Sequence, residues 1–404
     1  MDTMKTSTTA LSLGLAASCL TQAAPYQSVS TKVSPALEIK SLENGVSLLS
    51  APEDGKKYKQ AVSYAWKPVD QTVPADTNAI RFEAKGDGSK FLGSVFLGSN
   101  KQLLNQYEAT FSLSSTDWQS VTIPLSDFSR ADKPWGVNHP MGEDSVFISK
   151  EKAKFIGFGR GFQFHKFAYP NYSFSIRNLE FIKAELPKPA KIQGGLNNLK
   201  KKLEAGDDVN VLLLGDSITY YGQDKSHGFY AFEELKNQYK SKVTVHNGAI
   251  GGHSVRGGKI ILDRNLAVMP KPDLVFAFYG ANDCKTLENP EHQFTAKVFE
   301  MQLEALLQAV SDKTQGAPEF LLINGVPRCD KESMETRGIV EPLMPAYTNL
   351  SKKYDITLVD SMSVFLKLSK EEKQKYYKDT IHQNDTGLQF IGSLVADKLK
   401  QELK

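Results

Sequence analysis

The chain has 404 residues, of which 40% are hydrophobic, 24% charged and 10% aromatic, as is typical of a globular protein with a sizeable core. Its formal net charge of +3 is too small to indicate a nucleic acid or another polyanion as partner. The length favours two or three domains, and nothing in the composition indicates an oligomeric state.

Residues 1–24 have the pattern of a signal peptide. A lysine precedes a short apolar stretch, ALSLGLAASCL (10–20), and small residues, TQAA, follow it. The stretch is too short for a membrane-spanning helix, and no other segment reaches that length. We therefore expect an exported protein, periplasmic or extracellular. A second interpretation stays open: LAASC (15–19) resembles a bacterial lipobox, in which Cys19 would carry a lipid anchor.

Residues 25–186 are predicted to form an all-β sandwich. Gly, Pro, Asn, Asp and Ser separate seven short runs: AVSYAWKPV, AIRFEAKG, FLGSVFLG, YEATFSLSS, WQSVTIPL, FIGFGRGFQF and YSFSIRNLEFI. Regularly spaced short strands without a long helical period are typical of a sandwich. The motifs STDWQSVTIPLSDF (115–128) and YSFSIRNLEFI (172–182) resemble jelly-roll, galactose-binding-like modules of carbohydrate-active enzymes. That resemblance implies a carbohydrate-binding-like domain.

Three tryptophans of this region have two interpretations. Trp66, Trp118 and Trp135 could stack on a sugar ring. A tryptophan in such a strand belongs more often to the core. The sequence therefore leaves sugar binding by the sandwich open.

Residues 187–404 are predicted to form an α/β domain after a linker, AELPKPAKIQGG (184–195). The continuous apolar run VNVLLLG (209–215) is typical of a strand buried on both faces. Further strands are expected at 242–247, 273–280, 319–325 and 356–360, and helices at 228–240, 254–268, 294–310 and 387–403. This alternation predicts a parallel sheet with helices on both faces, and ligands of such sheets bind beyond the carboxyl ends of the strands.

Polar motifs follow the strands of this domain. GDSIT (215–219) follows the first strand, NGAIGGHS (247–254) the second and GAND (280–283) the third, and DTIH (379–382) lies near the C-terminus. Because parallel strands end at one edge of their sheet, we expect the four motifs to meet in a single cleft.

The residues of these motifs have the chemistry of nucleophilic catalysis. A serine such as Ser217 is a poor nucleophile unless a base takes its proton, and the imidazole of His382 titrates near neutrality. Asp379, three residues earlier, can orient that imidazole and stabilise its charged form. An oxyanion needs donors that are already aimed, which the backbone N–H groups of Ser217 and Gly252 and the side-chain amide of Asn282 can supply.

Other residues near the motifs have more than one interpretation. Tyr220, Tyr221, His253 and Arg256 flank the cleft and either contact substrate or orient loops. Asn384 is expected to cap the last helix. The two remaining cysteines, 284 and 329, form either a disulfide beside the cleft or two free thiols. No spacing indicates a metal site and no phosphate loop is present, so we expect neither a metal nor a cofactor.

The segment from Val209 to Leu403 resembles the SGNH (GDSL) hydrolase family, since its four blocks occur in order. The resemblance implies a flavodoxin-like three-layer fold with Ser217 as nucleophile and His382 and Asp379 as its partners. It also places Gly252 and Asn282 as oxyanion donors beside the Ser217 N–H. Ala249 stands where many members have Gly, and Gly251 leaves the glycine register uncertain by one residue.

Export, the esterase motifs and the predicted sandwich together favour a secreted serine esterase that removes O-acetyl groups from a polysaccharide or oligosaccharide. A jelly-roll joined to an SGNH domain also resembles the layout of some acetylxylan esterases. The alternative is a periplasmic lipase, lysophospholipase or thioesterase that acts on longer acyl chains. A binding protein with a dead hydrolase domain would have lost Ser217 or His382, and this chain keeps both.

Overall fold

The structure is a computed structural model that describes most of the chain after residue 25. The described residues are 26–30, 37–50, 63–69, 73–99, 106–130, 146–161, 172–221, 223–236, 238–284, 296–330, 334 and 338–404. The expected signal peptide, Cys19 and Trp135 lie outside these ranges. Within them, no helix combines the length and the apolar character that crossing a bilayer requires.

The described residues before the linker form two antiparallel sheets. One has the order β1-β4-β10-β6-β7-β9 and the other the order β2-β3-β11-β5-β8. The strands are β1 (Gln27–Ser30), β2 (Leu37–Leu42), β3 (Gly45–Ser50), β4 (Ser63–Pro68), β5 (Ala79–Lys85), β6 (Leu92–Gly98), β7 (Gln106–Ser112), β8 (Gln119–Pro124), β9 (Ser129–Arg130), β10 (Phe155–Arg160) and β11 (Tyr172–Ile182). Each of the seven predicted runs overlaps one of these strands, and β7 begins one residue before its run. The jelly-roll assignment stays a prediction.

Residues from both sheets share one hydrophobic core. In β5 the alternate residues Ile80, Phe82 and Ala84 are buried, as the period of two along a strand requires. Phe82 packs edge-to-face against Phe111 of the other sheet, with ring centroids 5.3 Å apart. The two sheets therefore pack face to face, as a sandwich does.

The two described tryptophans of the sandwich contact other side chains. Trp66 is buried and packs edge-to-face on Phe155, with ring centroids 5.2 Å apart. Trp118 is half-buried, and the guanidinium of Arg177 lies 4.1 Å from its ring centroid. Trp66 belongs to a small cluster of buried aromatic residues. Of the two interpretations of this tryptophan, the structure therefore favours a place in the core.

Five parallel strands form the sheet of the second region, in the order β13-β12-β14-β15-β16. They are β12 (Val209–Gly215), β13 (Val243–Asn247), β14 (Leu274–Phe278), β15 (Glu319–Ile323) and β16 (Thr357–Val359). Side chains of β12 alternate between two cores: Val211 and Leu213 face one, Leu212 and Leu214 the other. A strand buried on both faces needs this continuous apolar run.

Helices cover both faces of this sheet. They are α1 (Asn197–Ala205), α2 (Ser217–Tyr220), α3 (His227–Leu235), α4 (Val255–Ile260), α5 (Leu262–Val268), α6 (Ala296–Lys313), α7 (Met344–Tyr354), α8 (Ser361–Leu366), α9 (Lys370–Gln374) and α10 (Asp385–Glu402). Helices α1, α3 and α10 contribute to one core, and α4 to α7 to the other. The three-layer α/β fold with flavodoxin-like strand order is thus confirmed. The helix predicted at 254–268 is two short helices that meet at Ile261.

Candidate active site

Ser217 lies where β12 gives way to α2. The carboxylate of Asp216, and not the Ser217 hydroxyl, caps α2 by accepting a hydrogen bond of 2.9 Å from the Ile218 N–H. A side chain at Gly215 would meet the Thr219 hydroxyl at 2.4 Å, so the turn needs glycine. The capping carboxylate leaves the Ser217 hydroxyl available to another partner.

That partner is His382. The imidazole Nε2 lies 2.9 Å from the Ser217 Oγ, and Nδ1 lies 2.8 Å from the Asp379 Oδ2. The other oxygen of Asp379 accepts hydrogen bonds from the backbone N–H groups of Ile381 (2.8 Å) and His382 (2.7 Å). Asn384 then caps α10 through the Gly387 N–H, as predicted. The structure therefore brings the predicted Ser, His and Asp together although 165 residues separate Ser217 from His382.

The electrostatics of the site favour a neutral imidazole beside an ionised carboxylate. Desolvation lowers the pKa of His382 below 6.5, although the Asp379 carboxylate acts in the opposite direction. Desolvation alone would raise the pKa of Asp379, but the hydrogen bonds from His382 and Ile381 lower it below 3.8. A neutral imidazole next to a serine hydroxyl can accept its proton.

Gly252 and Asn282 lie on neighbouring loops, after β13 and β14. Gly252 has a φ of +87°, and a Cβ there would meet no atom within 4 Å. The Asn282 amide donates to the His253 carbonyl oxygen at 3.0 Å. Asp283 joins the same two loops, because its carboxylate accepts from the N–H groups of Val255 and Gly280, both at 3.1 Å. Hydrogen bonds therefore join the two loops that carry Gly252 and Asn282, two of the predicted oxyanion donors.

The predicted substrate residues differ in exposure. Tyr220 and Arg256 are half-buried, whereas the His253 side chain is fully buried. Tyr221 is 48% exposed, and its ring packs edge-to-face against the His382 imidazole with centroids 5.0 Å apart. The Lys378 ammonium lies 4.3 Å from the centroid of the Tyr221 ring. Besides Ser217 and Asp379, the Tyr221 ring therefore contacts the imidazole, and Lys378 lies on the Tyr221 ring.

Two features of the site were not predicted from the sequence. Arg328, which is 3% exposed, donates to the carbonyl oxygens of Ala281 (2.6 Å) and Gly338 (3.3 Å). Its guanidinium therefore supports the loop that carries Asn282. The only signal in the sequence was an arginine in the segment after the apolar strand β15, five residues beyond Ile323. The second feature is Lys378, which no motif singled out.

Cys284 and Cys329 are free thiols. The Cys284 Sγ lies 3.4 Å from the Arg328 guanidinium, and burial raises the pKa of this thiol to about 11. The sequence left open either a disulfide between these cysteines or two free thiols, and the structure has two free thiols. Residues 285–295, which follow Cys284, lie outside the described residues.

Part of the chain matches a known protein family. Residues 213–390, less than half of the chain, match the model of the GDSL-like Lipase/Acylhydrolase family. No curated protein matches the sequence. Similar solved structures include a lipase/acylhydrolase from Enterococcus faecalis, 20% identical, covering 48% of this chain and 97% of that chain with a TM-score of 0.40.

Two further structures are similar at comparable levels. An acetylxylan esterase from Geobacillus stearothermophilus is 19% identical and covers 49% of this chain and 95% of that chain, with a TM-score of 0.39. A protein from Bacillus subtilis is 14% identical and covers 93% of this chain and 90% of that chain, with a TM-score of 0.39. The family match over residues 213–390, together with the sheet order, shows that the chain contains a GDSL (SGNH) hydrolase domain.

Proposed function

We propose that the protein is a secreted serine esterase that removes O-acetyl groups from a polysaccharide or oligosaccharide. The observation that carries the esterase chemistry is the hydrogen-bonded series Ser217–His382–Asp379 at the carboxyl end of β12. Ser217 is the proposed nucleophile, His382 the general base and Asp379 its orienting carboxylate. No metal or cofactor is part of this proposal.

In the first step, the Ser217 oxygen attacks the acetyl carbonyl carbon while its proton moves to Nε2 of His382. The carbonyl oxygen becomes an oxyanion, which the N–H groups of Ser217 and Gly252 and the Asn282 amide would stabilise. When the tetrahedral intermediate collapses, the bond to the sugar oxygen breaks. That oxygen takes the proton from His382, which leaves an acetyl-enzyme.

In the second step, His382 takes a proton from a water molecule whose oxygen attacks the acetyl carbon. Collapse of this intermediate breaks the bond to the Ser217 oxygen, which recovers its proton from His382. Acetic acid leaves as acetate. Asp379 stays ionised throughout and stabilises the transient imidazolium, in agreement with its lowered pKa.

The surroundings of His382 and the N-terminal region support acetyl groups on a carbohydrate as the substrate. Besides the proposed catalytic residues, the Tyr221 ring packs on the imidazole, and the Lys378 ammonium lies on the Tyr221 ring. A half-exposed aromatic ring can stack on a sugar, whereas a long acyl chain needs an aliphatic groove. The N-terminal sandwich and the predicted signal peptide are compatible with an extracellular or periplasmic polysaccharide as substrate. An exported protein that carries a lipid anchor at Cys19 would reach the same substrate.

The test is acetate release from acetylated xylan, mannan, pectin and algal galactan by the full chain and by Ser217→Ala. We expect release from at least one polymer and a loss of about a thousandfold or more in the variant. Ser120→Ala, which truncates an exposed serine of β8, is the matched control and should retain full activity. Equal release by the native chain and Ser217→Ala would contradict the proposed nucleophile.

A series of 4-nitrophenyl esters from acetate to palmitate separates the proposed function from the alternative. We expect kcat/KM to be highest for acetate. A maximum at eight carbons or more, still abolished by Ser217→Ala, would retain the serine mechanism and favour the lipase, lysophospholipase or thioesterase. The catalytic and the substrate parts of the proposal can thus fail separately.

A further inference from the structure

We infer that the N-terminal sandwich positions the oxyanion loop of the hydrolase domain through a set of charged and polar residues. We call this set the clamp: Thr110 and Asp127 of the sandwich, and Lys259, Asp263 and Lys313 of the hydrolase domain. The inference rests on the proposed function only in taking residues 248–254 as the oxyanion loop. The clamp residues are positioning residues that touch no reacting atom.

Direct contacts join the two sides of the clamp. The Thr110 hydroxyl donates to the Asp263 Oδ2 at 2.6 Å. The Lys313 ammonium lies 2.8 Å from the Asp263 Oδ1 and 3.4 Å from the Asp127 Oδ2, so it bridges the two sides. The Lys259 ammonium donates to the backbone carbonyl oxygen of Ser126. Two carboxylates and two ammonium groups therefore balance across this contact.

These charges are partly removed from water. The Lys313, Asp127 and Asp263 side chains are each about 30% exposed. Desolvation and the neighbouring ammonium of Lys313 lower the pKa of Lys259 to about 8, although Asp127 acts in the opposite direction. Ion pairs that are screened less by water are stronger than fully exposed pairs, which contribute little. A small apolar contact between Val146 and Val298 lies in addition between the two regions.

Two of the three hydrolase-side clamp residues, Lys259 and Asp263, lie on the helices beside the oxyanion loop, and the third, Lys313, ends α6 and pairs with Asp263. Helix α4, which carries Lys259, starts directly after Gly252-His253-Ser254. Helix α5 carries Asp263 and also Asn265, whose amide donates to the Gly248 carbonyl oxygen at 3.0 Å. One helix thus continues from the end of the loop, and the other binds its beginning.

These two helices have little stability of their own. Helix α4 has six residues and α5 seven, lengths at which an isolated helix is not stable. Helix α4 also contains Gly257 and Gly258, each of which disfavours a helix by about 1 kcal/mol relative to alanine. At Gly258 a Cβ would lie 2.1 Å from the Tyr279 phenol oxygen, so close packing requires this glycine. Contacts on the outer side of α4 and α5 therefore matter for the position of the loop.

Oxyanion donors act only when they are held close to the productive geometry. A clamp that holds α4 and α5 in place would therefore increase kcat. Loosening it should lower kcat while leaving KM for a small ester nearly unchanged, because the oxyanion forms only in the transition state. An interface that serves stability alone would lower the unfolding temperature and leave kcat of the folded protein unchanged.

The test uses the full chain with Asp127→Ala and, as a milder change, Thr110→Val. The matched control is Glu180→Ala, which removes a carboxylate that pairs with Arg81 at 2.7 Å within the sandwich. Asp127→Glu and Thr110→Ser are the conservative variants. Two quantities are measured at a temperature where all variants are folded: kcat and KM for 4-nitrophenyl acetate, and hydrogen exchange of the backbone amides of residues 248–256.

We expect Asp127→Ala and Thr110→Val to lower kcat about tenfold with KM within about twofold, and to speed exchange in residues 248–256. The control should change neither quantity, and the conservative variants should restore both. Unchanged kcat and exchange in folded Asp127→Ala and Thr110→Val, or an equal change in Glu180→Ala, would overturn the inference. If the native chain cleaves no acetate ester, the proposed function fails, and the exchange measurement alone decides on the clamp.

Discussion

The protonation of His382 is set by groups on several sides of its ring. Asp379 holds Nδ1, the Tyr221 ring packs edge-to-face on the imidazole, and Lys378 adds a positive charge nearby. Desolvation is the largest effect on its pKa, which lies below 6.5, and the Lys378 charge acts in the same direction. The base is therefore neutral over a wider acidic range than an exposed histidine would be.

This arrangement predicts the acidic limb of the pH profile. We expect kcat/KM for 4-nitrophenyl acetate to fall as pH decreases, with a midpoint below 6.5, because protonated His382 cannot accept the Ser217 proton. Lys378→Gln should move the midpoint upward by about a few tenths of a unit, since a screened positive charge is removed. Lys375→Gln, an exposed lysine of the same segment, is the control. A midpoint above 6.5 in the native chain would show that desolvation does not dominate.

At the scale of elements, two aspartates cap short helices in opposite electrostatic settings. Asp216 caps α2, and burial raises its pKa from 3.8 to about 6. Asp360 caps α8; partial desolvation opposes the shift, but hydrogen bonds from Asn324 and Ser363 lower its pKa. The folded state therefore binds the Asp216 proton more tightly than the unfolded state does, and the Asp360 proton less tightly.

Replacing either capping aspartate by asparagine changes the free energy of unfolding relative to the native chain. As pH rises, we expect this difference to increase for one variant and to decrease for the other. Between about pH 4 and 6 the unfolded chain loses the Asp216 proton before the folded chain does, so ionisation of this group costs stability. Asp216→Asn removes that cost, and its free energy of unfolding relative to the native chain should increase by on the order of 2 kcal/mol from pH 4 to 7. For Asp360→Asn the relative free energy of unfolding should decrease with pH.

Urea unfolding of the native chain and the two variants at pH 4, 5, 6 and 7 measures these differences. Each variant is the control for the other, because both replace a capping aspartate by an isosteric residue that keeps the cap oxygen. The same trend with pH in both variants would contradict the assignment of the two pKa directions.

At the scale of the whole molecule, no disulfide joins the described residues. Cys284 is held by the Ala281 carbonyl oxygen at 3.7 Å and by the Arg328 guanidinium. The backbone N–H of Cys329 donates to the Thr380 carbonyl oxygen at 3.1 Å, in the segment that leads to His382. The loops around the site are thus held by hydrogen bonds and packing.

Stability should accordingly be independent of reductant. We expect the unfolding temperature to change by less than about 1 °C with a phosphine reductant, whereas loss of a disulfide costs about 2–4 kcal/mol and lowers it by several degrees. Calorimetry with and without reductant, together with thiol counting after denaturation, measures this. A drop of several degrees would show that Cys284 and Cys329 pair in the folded protein.

The sequence alone determined the parallel sheet and the residues at its carboxyl edge. The apolar run 209–215 is readable because burial on both faces leaves no polar position in the strand. Ser217 and the loops after β13 and β14 meet because parallel strands of one sheet end at one edge, whatever the details of packing. Two helices separate β16 from Asp379 and His382, so the roles of these two residues came from their chemistry and from the resemblance to the SGNH family. The Asn384 cap was predictable since a cap is a local hydrogen bond.

Only the tertiary structure decided which surfaces meet. Thr110 and Asp263 are 153 residues apart, and no periodicity indicates that they bond. The Arg328 guanidinium, the Lys378 ammonium beside Tyr221 and the two free thiols likewise depend on how separate elements pack. The physical reason is that a sequence pattern reports how deeply a residue is buried, whereas the partner it is buried against is set by the three-dimensional packing of distant segments.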